Sequence, residues 1–350
     1  MHGTASGATS RTARRRLAAT ALAAAACGCS ATVGPAPAPG APGSAVVATI
    51  PLDAFGTGIA ITPDGTRAYV AASASVFVVD TASRKVTATI RTGDLPHTIA
   101  LSRDGTRGYA VDLMQREVWF LDLASNTVTR RVPLGEPRRP VLRPGVAVSP
   151  DGSEVYATVS QPEGAGFDLL YVIDAESGRT TQRSLSLHPG QLAADPAGRL
   201  VWIAGCRGLC SDGTLHGVDP AAPGDASAVA LASVPGGMAL SPDGARAYVA
   251  NGLAGSVAVV DLATRRVVAN VRTGAEPLGV AVSPDGARVY VTNFQSGTLS
   301  VVDASSNAVV ATLPVAGAPR AIAVTPDGRF AWLTHSTPQL SVVALSSAGG

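Results

Sequence analysis

The chain has 350 residues, a formal net charge of +2, 46% apolar residues and 15% charged residues. This balance excludes an intrinsically disordered protein, which would be more charged and less apolar. The 38 glycines and 25 prolines follow no Gly-X-Y period, which excludes collagen and favours a β protein rich in turns.

The N-terminal segment, residues 1–29, is predicted to be an export signal. It contains four arginines and no acidic residue, and an apolar stretch over residues 17–26 follows Arg16. A basic start, a short apolar stretch and small residues at the exit are typical of a secretory signal. Ten helical residues rise about 15 Å, half of a bilayer core, which argues against a permanent transmembrane helix.

The cysteines at the end of this segment are candidate sites for a lipid anchor. The run Ala24-Ala25-Ala26-Cys27 resembles the lipobox of bacterial lipoproteins, which makes Cys27 the expected lipidation site and Cys29 the alternative. Ala24 stands where the lipobox usually has leucine, so plain secretion stays open. We expect an exported protein, either a periplasmic or cell-surface lipoprotein or a secreted one, that contacts the membrane only through a lipid anchor.

Loss of the signal changes the charge of the remaining chain. Removing four arginines from the 27 basic residues leaves 23 against 25 acidic residues, a net charge of −2. Such a chain has no general electrostatic attraction for nucleic acid. We expect a monomer whose partner is a protein or small ligand of the cell envelope.

Residues 30–44 are predicted to be a tether. Proline and alanine alternate from Pro35 to Pro39, and Val33 is the only large apolar residue in the segment. Such a composition favours extended polyproline conformations and cannot build a core.

A repeat occupies residues 45–350. One phrase, typically Ser/Thr-Pro-Asp-Gly, recurs seven times with starts 40 to 47 residues apart, a period that indicates an array or a propeller. The seven starting residues are Thr62, Ser102, Ser149, Ala194, Ser241, Ser283 and Thr325. In each unit we predict four strands, with the Pro-Asp-Gly turn joining the first two and an Asp-containing turn following the third. We assign the repeated aspartates to these turns, not to calcium, because each stands alone.

The two chain ends complement each other. The last unit has three predicted strands, and residues 45–50 resemble the fourth strand of other units, such as residues 309–313. Pairing them completes a seventh blade and removes exposed strand edges. We therefore predict an all-β, seven-bladed β-propeller of four-stranded blades, the last closed by the N-terminal strand.

The segment Tyr290-Val291-Thr292-Asn293, with Tyr248-Val249-Ala250-Asn251 beside it, resembles the signature of YVTN-family β-propeller repeat proteins. The resemblance covers residues 45–350 and implies the propeller fold and, often, export from bacteria. Departures from it at the asparagine position include Val159, Gly205 and His335.

Two cysteines lie between the second and third strands of the fourth unit. Four extended residues span about 13 Å, more than the Cα separation of about 5.5 Å in a disulfide, but Gly205 and Gly208 allow the loop to fold back. In an exported protein we expect Cys206 and Cys210 to form a disulfide. A metal site with His216, which would lack a fourth ligand, and a free redox pair are the alternatives. We expect no metal and no other cofactor.

Function is predicted on the face that carries the inter-blade connections. The chain is lengthened there twice, in a basic segment at residues 136–144 and in an insert at residues 160–167, and departures from a repeat usually decorate a binding face. Ordinary solvated or hydrogen-bonding roles are the alternative for each residue. The candidate ligand or partner residues are His97, Asp112, Arg138, Arg139, Arg143, His188, Asn251, Glu276, Asn293, Arg320 and His335.

Three functions remain open on the sequence alone. The first is a non-catalytic binding or scaffold propeller, and no catalytic residue is assigned. The second is a propeller enzyme, such as a lactonase-like hydrolase or lyase, which three or more ionisable groups at the axis would favour. The third is an accessory subunit of an envelope redox enzyme, without covalent haem because no Cys-x-x-Cys-His occurs.

Overall fold

Short apolar strands separated by polar turns account for the regular structure of the chain. The computed structural model describes residues 45–93, 95–135, 144–160, 168–207, 212–222 and 225–345. Within these ranges the chain forms 28 β-strands and no helix, so no described helix is long and apolar enough to cross a membrane. The strands form seven antiparallel sheets of four strands each.

The sheets follow the repeat, and each is one blade. The chain begins with β1 (Ala45–Pro51). Blade 1 comprises β2 (Gly56–Ile61), β3 (Arg67–Ala72), β4 (Ser75–Asp80) and β5 (Lys85–Arg91). Blade 2 comprises β6 (Pro96–Leu101), β7 (Arg107–Asp112), β8 (Glu117–Asp122) and β9 (Thr127–Pro133). Blade 3 comprises β10 (Val146–Val148), β11 (Glu154–Val159), β12 (Asp168–Asp174) and β13 (Thr180–Leu185).

The remaining blades continue in the same order. Blade 4 comprises β14 (His188–Ala194), β15 (Val201–Arg207), β16 (Asp212–Val218) and β17 (Asp225–Ala230). Blade 5 comprises β18 (Pro235–Leu240), β19 (Arg246–Asn251), β20 (Ser256–Asp261) and β21 (Arg266–Arg272). Blade 6 comprises β22 (Pro277–Val282), β23 (Arg288–Asn293), β24 (Thr298–Asp303) and β25 (Ala308–Pro314). Blade 7 comprises β26 (Pro319–Val324), β27 (Phe330–His335), β28 (Gln339–Ala344) and β1.

The first strand of each blade contacts the first strands of its two neighbours, and contact between β2 and β26 closes the ring. The predicted closure by the N-terminal strand is confirmed: β1 pairs antiparallel with β28, from Ala45 opposite Ala344 to Ile50 opposite Leu340. The ring is therefore a seven-bladed propeller, as the sequence predicts.

The core lies between adjacent blades. For example, Tyr109 and Phe120 of blade 2 pack in one cluster with Tyr171 and Ile173 of blade 3. The second and third strands of the blades are buried on both faces, which explains why segments such as Val76 to Val79 are continuously apolar.

The Pro-Asp-Gly turns are held by their aspartates. Asp64 Oδ1 accepts hydrogen bonds from Thr62 Oγ1 at 2.5 Å and from the Thr66 N–H at 3.0 Å, and Gly65 has a φ of +73° that a side chain would strain. These hydrogen bonds lower the pKa of Asp64. The aspartates that end third strands act similarly: Asp80 Oδ1 accepts from the Ser83 N–H at 2.7 Å. The assignment of the repeated aspartates to turns is confirmed at these positions.

Arginines at the start of second strands tie neighbouring blades together. Nη1 of Arg67 donates to the carbonyl of Leu123 at 2.8 Å, Arg107 to Ala175 at 3.1 Å, and Arg246 to Ala304 at 2.6 Å. Blade 7 has Phe330 at this position, and a cavity of about 450 Å³ lies there between blades 7 and 1. We call the face with the Pro-Asp-Gly turns the turn face and the opposite one the loop face.

Candidate functional site

A cavity of about 430 Å³ lies among the first strands, where the inter-blade connections enter the ring. The polar residues on its wall include His97, Gln191, Glu276 and Arg320. The apolar part of its wall includes Ile59, Ile99, Met238, Val280, Phe294 and Ile322. We call this cavity the axial cavity. It brings together three of the predicted residues, His97, Glu276 and Arg320.

Arg320 is half-buried and held from two sides. Its Nε donates to Ser336 Oγ at 3.0 Å, and its guanidinium lies 5.3 Å from the centre of the Phe294 ring. Burial lowers the pKa of Arg320, and the negative charge of Glu276 offsets part of this. A guanidinium keeps its charge under these conditions and presents its remaining N–H groups as a fork for a carboxylate or phosphate.

Glu276 is exposed on the wall and has a left-handed backbone, with a φ of +54°. The Phe294 N–H donates to its carbonyl at 2.9 Å, and the Ala275 N–H donates to Ser296 Oγ at 2.6 Å. In the connection from blade 1 to blade 2 the positive φ lies on Gly93, whereas Gly274, its counterpart, does not have one. In this connection the positive φ therefore lies on a charged residue with a side chain, and such strained residues are frequent at functional sites.

Four predicted residues share one position at the end of the second strand. Asp112, Asn251, Asn293 and His335 each lie opposite a proline of the first strand, as the repeat predicts. All four side chains are fully buried, and none lies on the wall of the axial cavity. The structure therefore places them inside the blades.

Three of these side chains make close hydrogen bonds near the turn between the second and third strands. Asp112 Oδ1 accepts from the N–H groups of Met114 and Gln115 at 2.7 and 2.6 Å. Asn293 Nδ2 donates to Ser300 Oγ at 2.9 Å, and His335 Nε2 lies 2.8 Å from Ser341 Oγ. The fourth, Asn251, makes a longer contact with Asn270, at 3.5 Å.

Burial lowers the pKa of His335 to about 4, so the imidazole is neutral at pH 7. Of the candidate histidines His97, His188 and His335, only His97 lies on the wall of the axial cavity. His188 instead pairs with Asp168: Nδ1 lies 2.7 Å from the buried Oδ2. His188 also lies opposite Cys206, which is buried on β15.

Several predicted residues lie outside the described ranges. They are Arg138, Arg139 and Arg143 of the basic connection, Cys210 and the lipidation candidate Cys27. The disulfide between Cys206 and Cys210 and the lipid anchor therefore stay predictions.

The sequence reasoning missed three residues that the geometry brings forward: Phe294, Gln191 and Asp168. Phe294 directly follows the Asn293 position of the repeat, where the other units have smaller residues or leucine, so its size was a usable signal. Gln191 and Asp168 stand in units that depart from the repeat, and nothing in their neighbourhood marked them.

Comparisons with known proteins agree with the fold. Residues 225–349 match the model of the cytochrome D1 heme domain family, which is less than half of the chain. Hydrazine synthase of Kuenenia stuttgartiensis is similar with a TM-score of 0.74 at 18% identity, over 85% of this chain and 97% of that chain. The Swd1 β-propeller domain of Myceliophteria thermophila is similar with a TM-score of 0.73 at 14% identity, over 87% and 100%. No curated protein matches the sequence.

The match to a heme domain raises the question whether these blades suit a haem. Haem iron needs an axial ligand, most often histidine. The matched residues contain one histidine, His335, whose buried imidazole contacts Ser341. The histidine at the axial cavity, His97, lies outside the matched residues. The donor set of the matched blades does not fit a histidine-ligated haem.

Proposed function

We propose that the protein is an exported, non-catalytic binding propeller of the YVTN type, and that its axial cavity is the site of a small ligand. The observation that carries this proposal is the meeting of His97 of blade 2, Glu276 of the connection between blades 5 and 6, and Arg320 of blade 7 on one cavity wall. A concave, mostly apolar pocket with a few convergent polar groups is the usual setting for a ligand.

The axial cavity has three ionisable groups on its wall, and three or more such groups at the axis would favour an enzyme. Among the described contacts, however, neither Glu276 nor Arg320 is hydrogen-bonded to another ionisable side chain. Both charges are instead presented to the cavity. This arrangement supports binding ahead of catalysis.

The experiment is a screen of small molecules for a rise in Tm of the full chain and of two variants. His97→Trp fills the axial cavity, whereas Phe330→Trp changes the cavity between blades 7 and 1 and serves as the control. We expect ligands that raise Tm of the wild type and of Phe330→Trp but not of His97→Trp. A ligand set that acts equally on His97→Trp, or no ligand at all, would contradict the proposal.

A role beside an envelope redox enzyme is the second candidate. Its support is the match to the cytochrome D1 heme domain family, together with the likeness to hydrazine synthase. In that case the loop face docks a protein, and the basic connection with Arg138, Arg139 and Arg143 belongs to the interface. Reversing these three charges would then abolish binding of the redox partner, while reversal at the exposed Arg329 of the turn face would not.

Export and anchoring are proposals too, and mass spectrometry of the protein from its native host tests both. A lipid-modified Cys27 at the mature N-terminus supports the anchor, and an unmodified mature N-terminus supports plain secretion. Peptides mapped without reduction should link Cys206 to Cys210, and two free thiols would contradict the disulfide.

A further inference from the structure

Two opposite charges share the wall of the axial cavity without pairing. Arg320 and Glu276 both line the cavity, and the charge of Glu276 is near enough to act on Arg320. Among the described ion pairs, none joins the two residues. Both charges are therefore open to a ligand.

Arg320 is kept in place by its own contacts. The hydrogen bond from Nε to Ser336 and the Phe294 ring beneath the guanidinium fix its plane. Nε uses one of the five N–H donors of the side chain, and no described protein group accepts from the four on Nη1 and Nη2. The guanidinium is therefore an oriented donor fork with open capacity, the arrangement that suits a carboxylate.

The backbone of Glu276 has an unusual conformation. Every other non-glycine residue of positive φ among the described ones belongs to a turn within a blade, and these are Ala74, Arg84, Arg116, Asn126, Arg265 and Asn307. Glu276 is the exception, because it stands in a connection between blades. The hydrogen bond from the Phe294 N–H to its carbonyl joins its conformation to the aromatic ring that carries Arg320.

We infer that the axial cavity selects a ligand that carries both a carboxylate and a cationic amine, an amino carboxylate, with its carboxylate on Arg320 and its amine facing Glu276. The inference rests on the proposed function and names its ligand class. Because Ser336 and Phe294 already hold the guanidinium of Arg320, it needs little further ordering when such a ligand binds. The apolar wall formed by Ile99, Met238, Val280 and Ile322 suits an aliphatic body between the two groups.

Calorimetric titration of the full chain tests this with a series of linear ω-amino carboxylates, from glycine to 8-aminooctanoate. For each length the matching carboxylate without amine and the amine without carboxylate are titrated as well. We expect at least one amino carboxylate to bind about tenfold more tightly than both of its single-charge relatives. Equal affinities at every length, or no binding by any member, would overturn the inference.

Two variants that each remove one charge assign the charges. Arg320→Gln should weaken the amino carboxylate and the carboxylate about tenfold and leave the amine unchanged, whereas Glu276→Gln should weaken the amino carboxylate and the amine and leave the carboxylate unchanged. If Arg320→Gln also lowers Tm, the titration is repeated with Arg320→Lys, which keeps the positive charge. If the screen finds other ligands at the axial cavity while the series fails, only this inference is wrong; if both fail, the proposed function is wrong too.

Discussion

Nε2 of His335 and Oγ of Ser341 lie 2.8 Å apart in blade 7, where Asn293 Nδ2 and Ser300 Oγ lie 2.9 Å apart in blade 6. Both pairs join the end of a second strand to the third strand, at the same position of the repeat. The contact therefore has the same form in the two blades, but only the histidine can titrate.

Replacing His335 by asparagine should remove a pH dependence of stability. The pKa of His335 is about 4 in the folded protein, against about 6.5 unfolded, so its contribution is complete above pH 6.5 and is lost as pH falls towards 4. Between pH 7 and pH 4 the wild type should lose about 3 kcal/mol from this group. Urea unfolding at each pH should show that loss in the wild type and not in His335→Asn.

The converse variant is the control. Asn293→His places the same group against Ser300, so it should acquire a comparable loss of stability between pH 7 and pH 4. Identical pH profiles of the wild type and His335→Asn would show that the imidazole is not buried as described.

The closing strand gives a second prediction. Ile50 of β1 is 5% exposed and packs against blades 7 and 1, whereas Val47 of the same strand is 42% exposed. Ile50→Ala should lower the free energy of unfolding by about 2–4 kcal/mol, and Val47→Ala by no more than about 0.5 kcal/mol. Urea unfolding measures both. Similar costs at the two positions would contradict closure of blade 7 by β1.

The fold could be predicted from the sequence because the same strands and turns recur in seven units. The turn chemistry of Thr62 to Gly65 and the fit of residues 45–50 to the missing strand both follow from local rules, and both are confirmed. Packing between blades was equally predictable, because it requires only that the second and third strands are apolar.

The site was less predictable because topology gives the face of a residue but not the direction of its side chain. Asp112 and His335 were placed on the correct end of their strands, yet their side chains turn into the blade. Glu276 comes from the connection between blades 5 and 6 and Arg320 from the first strand of blade 7, and their meeting depends on the φ of Glu276 and on Phe294. The conformation of Glu276 cannot be predicted by comparing the units of the repeat, whereas the size of Phe294 at its position in the repeat was a usable signal.

The arginines between blades give a third prediction. Arg246→Gln removes the hydrogen bond to the Ala304 carbonyl and should lower the free energy of unfolding by about 1–2 kcal/mol, because the donor is charged and the acceptor loses its partner. Arg329, whose side chain is 73% exposed and 4.0 Å from Asp327, is the control, and Arg329→Gln should change stability little. Equal effects in urea unfolding would mean that the inter-blade contact is not stabilising.

The last prediction concerns the strained backbone of Glu276 and its effects on both stability and ligand binding. Glycine adopts a φ of +54° without the steric cost that glutamate incurs there, so Glu276→Gly should raise the free energy of unfolding by up to about 1 kcal/mol. The same variant lacks the carboxylate and should lose its preference for amino carboxylates over simple carboxylates. Glu276→Gln separates the two effects, because it keeps the strain and should match the wild type in stability while it loses the same preference. If glycine destabilises the protein, the side chain of Glu276 contributes contacts that outweigh the strain, and its conformation has a structural cause.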